Sequence, residues 1–247
     1  MRIIYILWLR QLKRYSRSKA RIVGSLCHPL LFLVALGFGM GDIYERAGEG
    51  NYIIFLSPGI IAMTTVFSSI FTGVDVIWDR KFGFLKETLV APVSRFKIML
   101  GRTLGGATTA MLQGILVLII TIPLGFKFHW PMLPVGLLFM MFIAVLFTAL
   151  GTTIGSVIKD LQAFHLIMNF VVIPMFFLSG ALFPVDGASD IFRYILHVNP
   201  LAYGVDGIRG SLTGEFYFSM TTDFTVLAVI TALILFIGSY IFSRIEA

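Results

Sequence analysis

Residues 52–102 read YIIFLSPGIIAMTTVFSSIFTGVDVIWDRKFGFLKETLVAPVSRFKIMLGR. The first half, Tyr52–Val76, contains one charged residue, Asp75. The second half, from Asp79 to Arg102, contains eight: Asp79, Arg80, Lys81, Lys86, Glu87, Arg95, Lys97 and Arg102. A bilayer core about 30 Å thick takes about 20 apolar residues in helical form. Only a helix or a closed barrel satisfies every backbone polar group there. Tyr52–Val76 meets both conditions and the charged block does not. The alternation predicts an all-α polytopic membrane protein.

Composition points the same way. Of the 247 residues, 57% are hydrophobic and 13% charged, about half the charged fraction usual in a soluble domain. The mean hydropathy is +0.92. Six stretches have the length and character of spans: Ile22–Met40, Tyr52–Val76, Leu104–Leu124, Leu133–Ile158, Leu161–Phe183 and Phe224–Phe242. Pro29, Pro58 and Pro174 fall inside three of them, which membrane helices tolerate where neighbours satisfy the freed carbonyls. Gly151 and Gly155 form a small-xxx-small pair of the kind that lets helices approach closely.

The basic residues orient these spans. Fifteen of the nineteen Lys and Arg fall at residues 2–21, in the 79–102 block, at Lys159 and at Arg244. The others are Arg46, Lys127, Arg193 and Arg209. The positive-inside rule puts the fifteen, and with them both termini, in the cytoplasm. The pI near 9.6 then reflects topology and not a nucleic-acid surface. Residues 1–21 lack the short apolar run and cleavage site of a signal peptide. Ile3, Ile4, Leu7, Trp8 and Leu12 instead recur at helical spacing, opposite Arg10, Lys13, Arg14 and Arg17, the pattern of an interfacial helix. Residues 184–222 are too broken for a span and too apolar for a solvated loop. Ile191, Tyr194, Ile195 and Val198 make one short amphipathic face. Leu201, Val205, Ile208 and Leu212 make another, and both predict short re-entrant helices before the last span.

Chemistry is sparse. The sequence has no G-x-x-x-x-G-K-[ST] loop and no H-E-x-x-H, and Cys27 is its one cysteine. No catalytic site and no metal site is expected. His28, His129, His165 and His197 are dispersed over different segments. Polar residues inside the spans are Asp75, Gln113, His165 and Asn169, each a candidate for function or for interhelical hydrogen bonding. The absence of a run of intramembrane carboxylates and of an inverted repeat argues against a self-sufficient secondary transporter, the alternative reading.

The stretch LKETLVAPVSR after the second span, with LSGALFPV and NPLAYGVDGIRG before the last, resembles the ABC-2 type permeases, the membrane subunits of bacterial and archaeal ABC exporters. The resemblance spans essentially the whole chain as a single transmembrane domain. It implies a cytoplasmic membrane location, a second permease copy in a homodimer, and two copies of a separate ABC ATPase that binds ATP and Mg. It also implies a coupling helix at Phe82–Leu89 that docks on the ATPase together with the interfacial helix. The docking residues would be Arg80, Lys81, Phe82, Leu85, Lys86, Glu87, Leu89 and Arg95, with Trp8, Arg10 and Arg14 on the interfacial helix. Phe82, Leu85 and Leu89 lie at helical spacing as an apolar stripe in a charged rim, the usual anatomy of an interface, and Pro92 would end the helix. Facing spans two and five would open a substrate path lined by Phe67, Phe71, Asn169, Met175 and Phe177. Hydrophobic drugs, lipids and lipid-linked polysaccharides are the substrate classes the resemblance implies.

Overall fold

The structure, a computed structural model, describes residues 2–47, 50–90, 93–185 and 188–244, apart from the side chains of residues 20, 21, 86, 89 and 243. The described residues form helices and no strands: α1 (Arg2–Arg17), α2 (Lys19–Arg46), α3 (Tyr52–Ile70), α4 (Thr72–Lys81), α5 (Phe84–Val90), α6 (Arg95–Thr121), α7 (Leu133–Val157), α8 (Leu161–Phe177), α9 (Asp190–Val198), α10 (Pro200–Thr213) and α11 (Met220–Ser243). Two 3-10 turns, Ile122–Leu124 and Trp130–Met132, bracket the connection from α6 to α7. Five helical stretches are long and apolar enough to cross a membrane: Ile22–Arg46, Tyr52–Lys81, Arg95–Leu124, Trp130–Val157 and Met220–Phe242. The fifth expected span, Leu161–Phe183, is represented by α8, a shorter apolar helix of 17 residues.

α3 is the hub of the bundle. Asn51 caps it, its side chain accepting a hydrogen bond from the backbone N–H of Ile53 at 2.9 Å, and every residue from Leu56 to Val66 is buried. It packs against α2, α6, α7 and α10. A core of Leu56, Ile60, Val66, Phe139, Ile143, Phe147, Phe164 and Phe176 surrounds it. With lipid outside as apolar as the core, association here depends on close packing and hydrogen bonds more than on the hydrophobic effect.

That closeness is greatest where α3 breaks into α4 at Phe71. A Cβ on Gly73 would lie 2.1 Å from the carbonyl oxygen of Gly151, and one on Gly155 would lie 2.3 Å from that of Gly73. One on Gly151 would reach within 2.5 Å of the Ile70 carbonyl oxygen. The small-xxx-small pair of α7 therefore presses backbone to backbone on the α3–α4 junction, as its spacing predicts.

Three expectations need correction. The described residues of the 79–102 block are mostly helical and not a loop: they are the end of α4, the short α5 and the first two turns of α6, so Arg95, Lys97 and Arg102 extend the third span's helix beyond its apolar run. The fifth span does not reach Phe183. α8 stops at Phe177, beyond Pro174, which has no N–H to continue the ladder, and Gly180 turns the chain back with φ +73°. There the Ala181 carbonyl sits where a Cβ of Gly59 would be, 2.4 Å away. Finally, α10 does not lie with one face toward lipid. Leu201–Ile208 are buried on all sides, enclosed by α3, α7 and α11.

Candidate functional site

Two regions gather the polar chemistry. The first is at the end of the bundle that carries α1 and α5. α1 lies along the first half of α6, admitted by Gly101 and Gly105, where a Cβ would meet Leu7 and Gln11 at 3.0 and 2.8 Å. Trp8 does not face outward: its indole N–H donates to the Thr108 hydroxyl at 3.0 Å. Arg10 and Arg14, one helical turn apart, meet Asp75 and Asp79, also one turn apart on α4. The Arg10 guanidinium grips Asp79 with two hydrogen bonds of 2.9 and 3.0 Å, and Arg14 reaches Asp75 at 3.1 Å. The hydrogen bonds from Asp79 hold the Arg10 pKa above the ordinary arginine value, against the opposing effect of partial burial. From α6, Arg102 closes on Asp79 from the other side at 2.6 Å. Asp79 thus joins three helices through two arginines.

α5 is seated on this network. Gly83, at φ +81°, ends α4 and lets a new helix begin at Phe84, two residues later than the expected start at Phe82. Leu85 is 2% exposed and packs with Leu7, Val76, Ile98, Met99 and Phe242. It anchors α5 to this chain and is not part of an outward stripe. The exposed aromatics are Phe82 (64%) and Phe84 (50%). The Phe82 ring stacks on Trp78 at 5.5 Å, the Lys81 ammonium stands 5.5 Å over Trp78, and Arg10 lies 5.9 Å over Phe84. A shallow pocket of about 290 Å3 opens among Arg10, Arg14, Trp78, Asp79, Phe82 and Phe84. Glu87 is exposed and Arg95 half-buried. Arg80 is tied down instead, donating to the carbonyls of Ser156, in the last turn of α7, and of Ile158 just past it, the latter at 3.3 Å. The side chains of Lys86 and Leu89, and Pro92, lie outside the described residues.

The second region is a cavity of about 680 Å3 among α1, α2, α3, α4, α6 and α8. It brings together Phe67, Phe71, Asn169 and Phe177, four of the five expected path residues. Met175 is elsewhere, packed on the main core, and its carbonyl accepts a 2.7 Å hydrogen bond from the Asn199 amide. The cavity wall adds His28, whose ring stacks on Phe32 at 5.0 Å, and Gln113, whose side-chain oxygen accepts from the Ser68 hydroxyl. Asp75 and His165 also line it.

Asp79, Arg102 and Trp78 are not among the expected site residues: Asp79 and Arg102 fall in the charged block, and Trp78 falls between that block and the second span. The signal that finds the ion pairs is the matched spacing of Arg10 and Arg14 against Asp75 and Asp79. At the opposite end sequence reading missed Arg209, which donates to the carbonyls of Gly180 at 2.9 Å and Ala181 at 3.4 Å, and Asp206, which accepts from the backbone N–H groups of Tyr217 and Phe218 at 2.9 and 2.8 Å. Among the described residues, no cluster of three His, Cys, Asp or Glu has the arrangement of a metal site.

The family model for the ABC-2 type transporter matches residues 2–213. Nodulation protein J of Rhizobium leguminosarum bv. viciae is 29% identical over 211 residues, covering 84% of this chain and 81% of that protein. Nodulation protein J of Azorhizobium caulinodans is 25% identical over 216 residues, 85% of each chain. The chain belongs to the ABC-2 type transporter family, whose members are membrane permease subunits, and it is a multi-pass membrane protein.

Proposed function

From that membership we infer that the chain is the permease subunit of an ATP-driven exporter in the cytoplasmic membrane of a prokaryote. In this reading α8 also spans the membrane, as the fifth of six spans, both termini are cytoplasmic, and two copies of the chain pair through the α3 and α8 sides. Each copy docks one ATPase subunit, which supplies ATP and Mg. α5 is the coupling helix. Its Phe84 and Glu87 form the contact face together with Trp78, Lys81 and Phe82 at the end of α4, rimmed by Arg10 and Arg14. The cavity beside Phe67, Phe71, Asn169 and Phe177 is the entry of the path for a drug, a lipid or a lipid-linked polysaccharide.

One observation carries this reading: Phe82 and Phe84 remain exposed beside a charged rim although Leu85, next after Phe84 in sequence, is buried. Exposed aromatic anchors ringed by arginine are the composition of an interface core. The seating of α5 on the Arg10–Asp79–Arg102 network supports the transmission step. A push on α5 bears on α1, α4 and α6 together, and through α4 on the glycine junction with α7.

Co-expression with the ATPase of the neighbouring reading frame tests the reading. The two proteins should co-purify, and Phe82→Ala with Phe84→Ala should cut recovery of the complex at least about tenfold, as loss of a binding hot spot does. Glu87→Arg should lower ATPase stimulation. A complex and a stimulation that survive all three changes would refute α5 as the docking element.

A further inference from the structure

The chemistry of the 680 Å3 cavity changes along its length. Toward the α1 end its wall is Gln11, Tyr15, Thr72, Asp75 and Thr109, with Phe71, Val74 and His165 among them; at the middle come Ser68, Gln113 and Asn169; beyond them it is Phe32, Met63, Phe176 and Phe177. Polar groups at one end and hydrocarbon at the other match an amphiphile. The volume lies within the roughly 300–1,000 Å3 usual for sites that enclose small ligands.

The polar end is rich in donors and acceptors and poor in available charge. Among the described lining residues the single formal charge is Asp75, and it is held by Arg14 at 3.1 Å. A charged head placed here would lose its water without gaining a counter-ion, and a buried unpaired charge is costly. A neutral head meets amide and hydroxyl groups able to replace its water. The Gln113 side chain accepts from Ser68, and its amide group has further donors. The Tyr15 hydroxyl is buried and stands beside the Gln113 side chain, so the two present one polar patch to the cavity. Burial pushes its phenol above the ordinary tyrosine range, so it remains a neutral donor. The stack of Phe32 and His28, continued by Phe67 at 6.3 Å from the imidazole, offers flat faces alongside.

We propose that this cavity takes amphiphiles with an uncharged head rich in hydroxyl or amide groups, the head held by Gln113 and Tyr15 and the chain by Phe67, Phe176 and Phe177, and that it excludes anionic and quaternary ammonium heads. This rests on the permease reading above, which leaves open which of several substrate classes is carried. Discrimination comes from what is missing: a site with no spare charge rejects a charged head more strongly than any single contact attracts a neutral one.

The test uses the full chain in nanodiscs of zwitterionic lipid and three probes sharing one decyl chain and one fluorophore at its tip. Their heads are glucoside, phosphate and trimethylammonium. The glucoside should bind at least about tenfold more tightly than either charged probe, the factor that one unmet buried polar group commands. Equal or tighter binding of a charged probe overturns the proposal. Tyr15→Phe keeps the ring and should weaken the glucoside about fivefold while leaving the charged probes unchanged; Gln113→Leu should weaken the glucoside at least as much and likewise leave the charged probes unchanged. If Gln113→Leu does not fold, Tyr15→Phe alone decides, and an unchanged preference there overturns the assignment of the head site. ATP-dependent movement of the glucoside, with the ATPase present, reports separately. Transport without head preference rejects this inference and keeps the permease, whereas head preference without transport does the reverse.

Discussion

The two ends of the bundle hold their charges in different ways. At the α1 end, Arg10, Arg14 and Arg102 meet Asp75 and Asp79 side chain to side chain, across three helices that are far apart in sequence. At the opposite end, Arg209 donates to the backbone carbonyls of Gly180 and Ala181, Asp206 accepts from two backbone N–H groups, and Asn199 bridges α8 and α10. There Asn199 donates to the Met175 and Leu178 carbonyls and caps α10 through the Leu201 N–H at 3.0 Å. Bonds between side chains can exchange partners when helices shift. Bonds to backbone fix the path of the chain itself. At the α1 end side chains tie one helix to another, and at the α10 end side chains pin the backbone between helices.

The sharpest way to break this contrast is Arg102→Met. Arg102 is 2% exposed, and its removal leaves Asp79 buried with Arg10 alone. The expected loss is about 3 kcal/mol, near the lower end for breaking a buried pair, read as a fall in melting temperature in detergent. Adding Asp79→Leu should restore much of it, since an apolar pair often replaces a buried ionic one at little cost. A double variant no more stable than the single would mean that Asp79 has its own structural role. Next in size is Arg209→Met, which strips donors from two backbone carbonyls and should cost on the order of 2 kcal/mol. Arg209→Lys should recover only part of that, because an ammonium cannot match the fork of a guanidinium. Smallest is Arg14→Ala, whose guanidinium is one-third exposed; the cost should stay below about 1 kcal/mol. That cost should shrink as salt rises, since the arginine of this pair is open to solvent and ions although Asp75 is buried. The Arg209 effect should not move with salt. Equal salt sensitivity at the two ends would erase the contrast.

The fold was largely legible in the sequence. Tyr52–Val76 and Leu133–Ile158 were located to within a few residues because a bilayer demands long apolar runs, and Gly151 with Gly155 marked a close contact that the structure contains. Hydropathy failed where helices carry charge. Arg95, Lys97 and Arg102 read as loop, yet they extend α6, since a helix needs apolar residues only where it meets lipid. Leu85 was expected to face a partner because spacing gives a stripe without giving its direction, and only the fold shows that the stripe splits around Gly83. Four of the five path residues, Phe67, Phe71, Asn169 and Phe177, share one cavity, while Met175, close by in sequence, turns to the core. α10 read as amphipathic although it is enclosed, since partners from α3, α7 and α11 cannot be seen in a fourteen-residue window.

The meeting of Gly73, Gly151 and Gly155 has a consequence for how far this chain can drift. Phe139, Ile143 and Phe147 can exchange volume with their neighbours, so each has several acceptable replacements. Where one backbone lies on another there is no volume to exchange, and hydrogen is the one substituent that fits. The least replaceable positions in this stretch are therefore those that contribute no side-chain chemistry at all. A survey of tolerated changes would find its deepest minima there, away from every ion pair and aromatic ring.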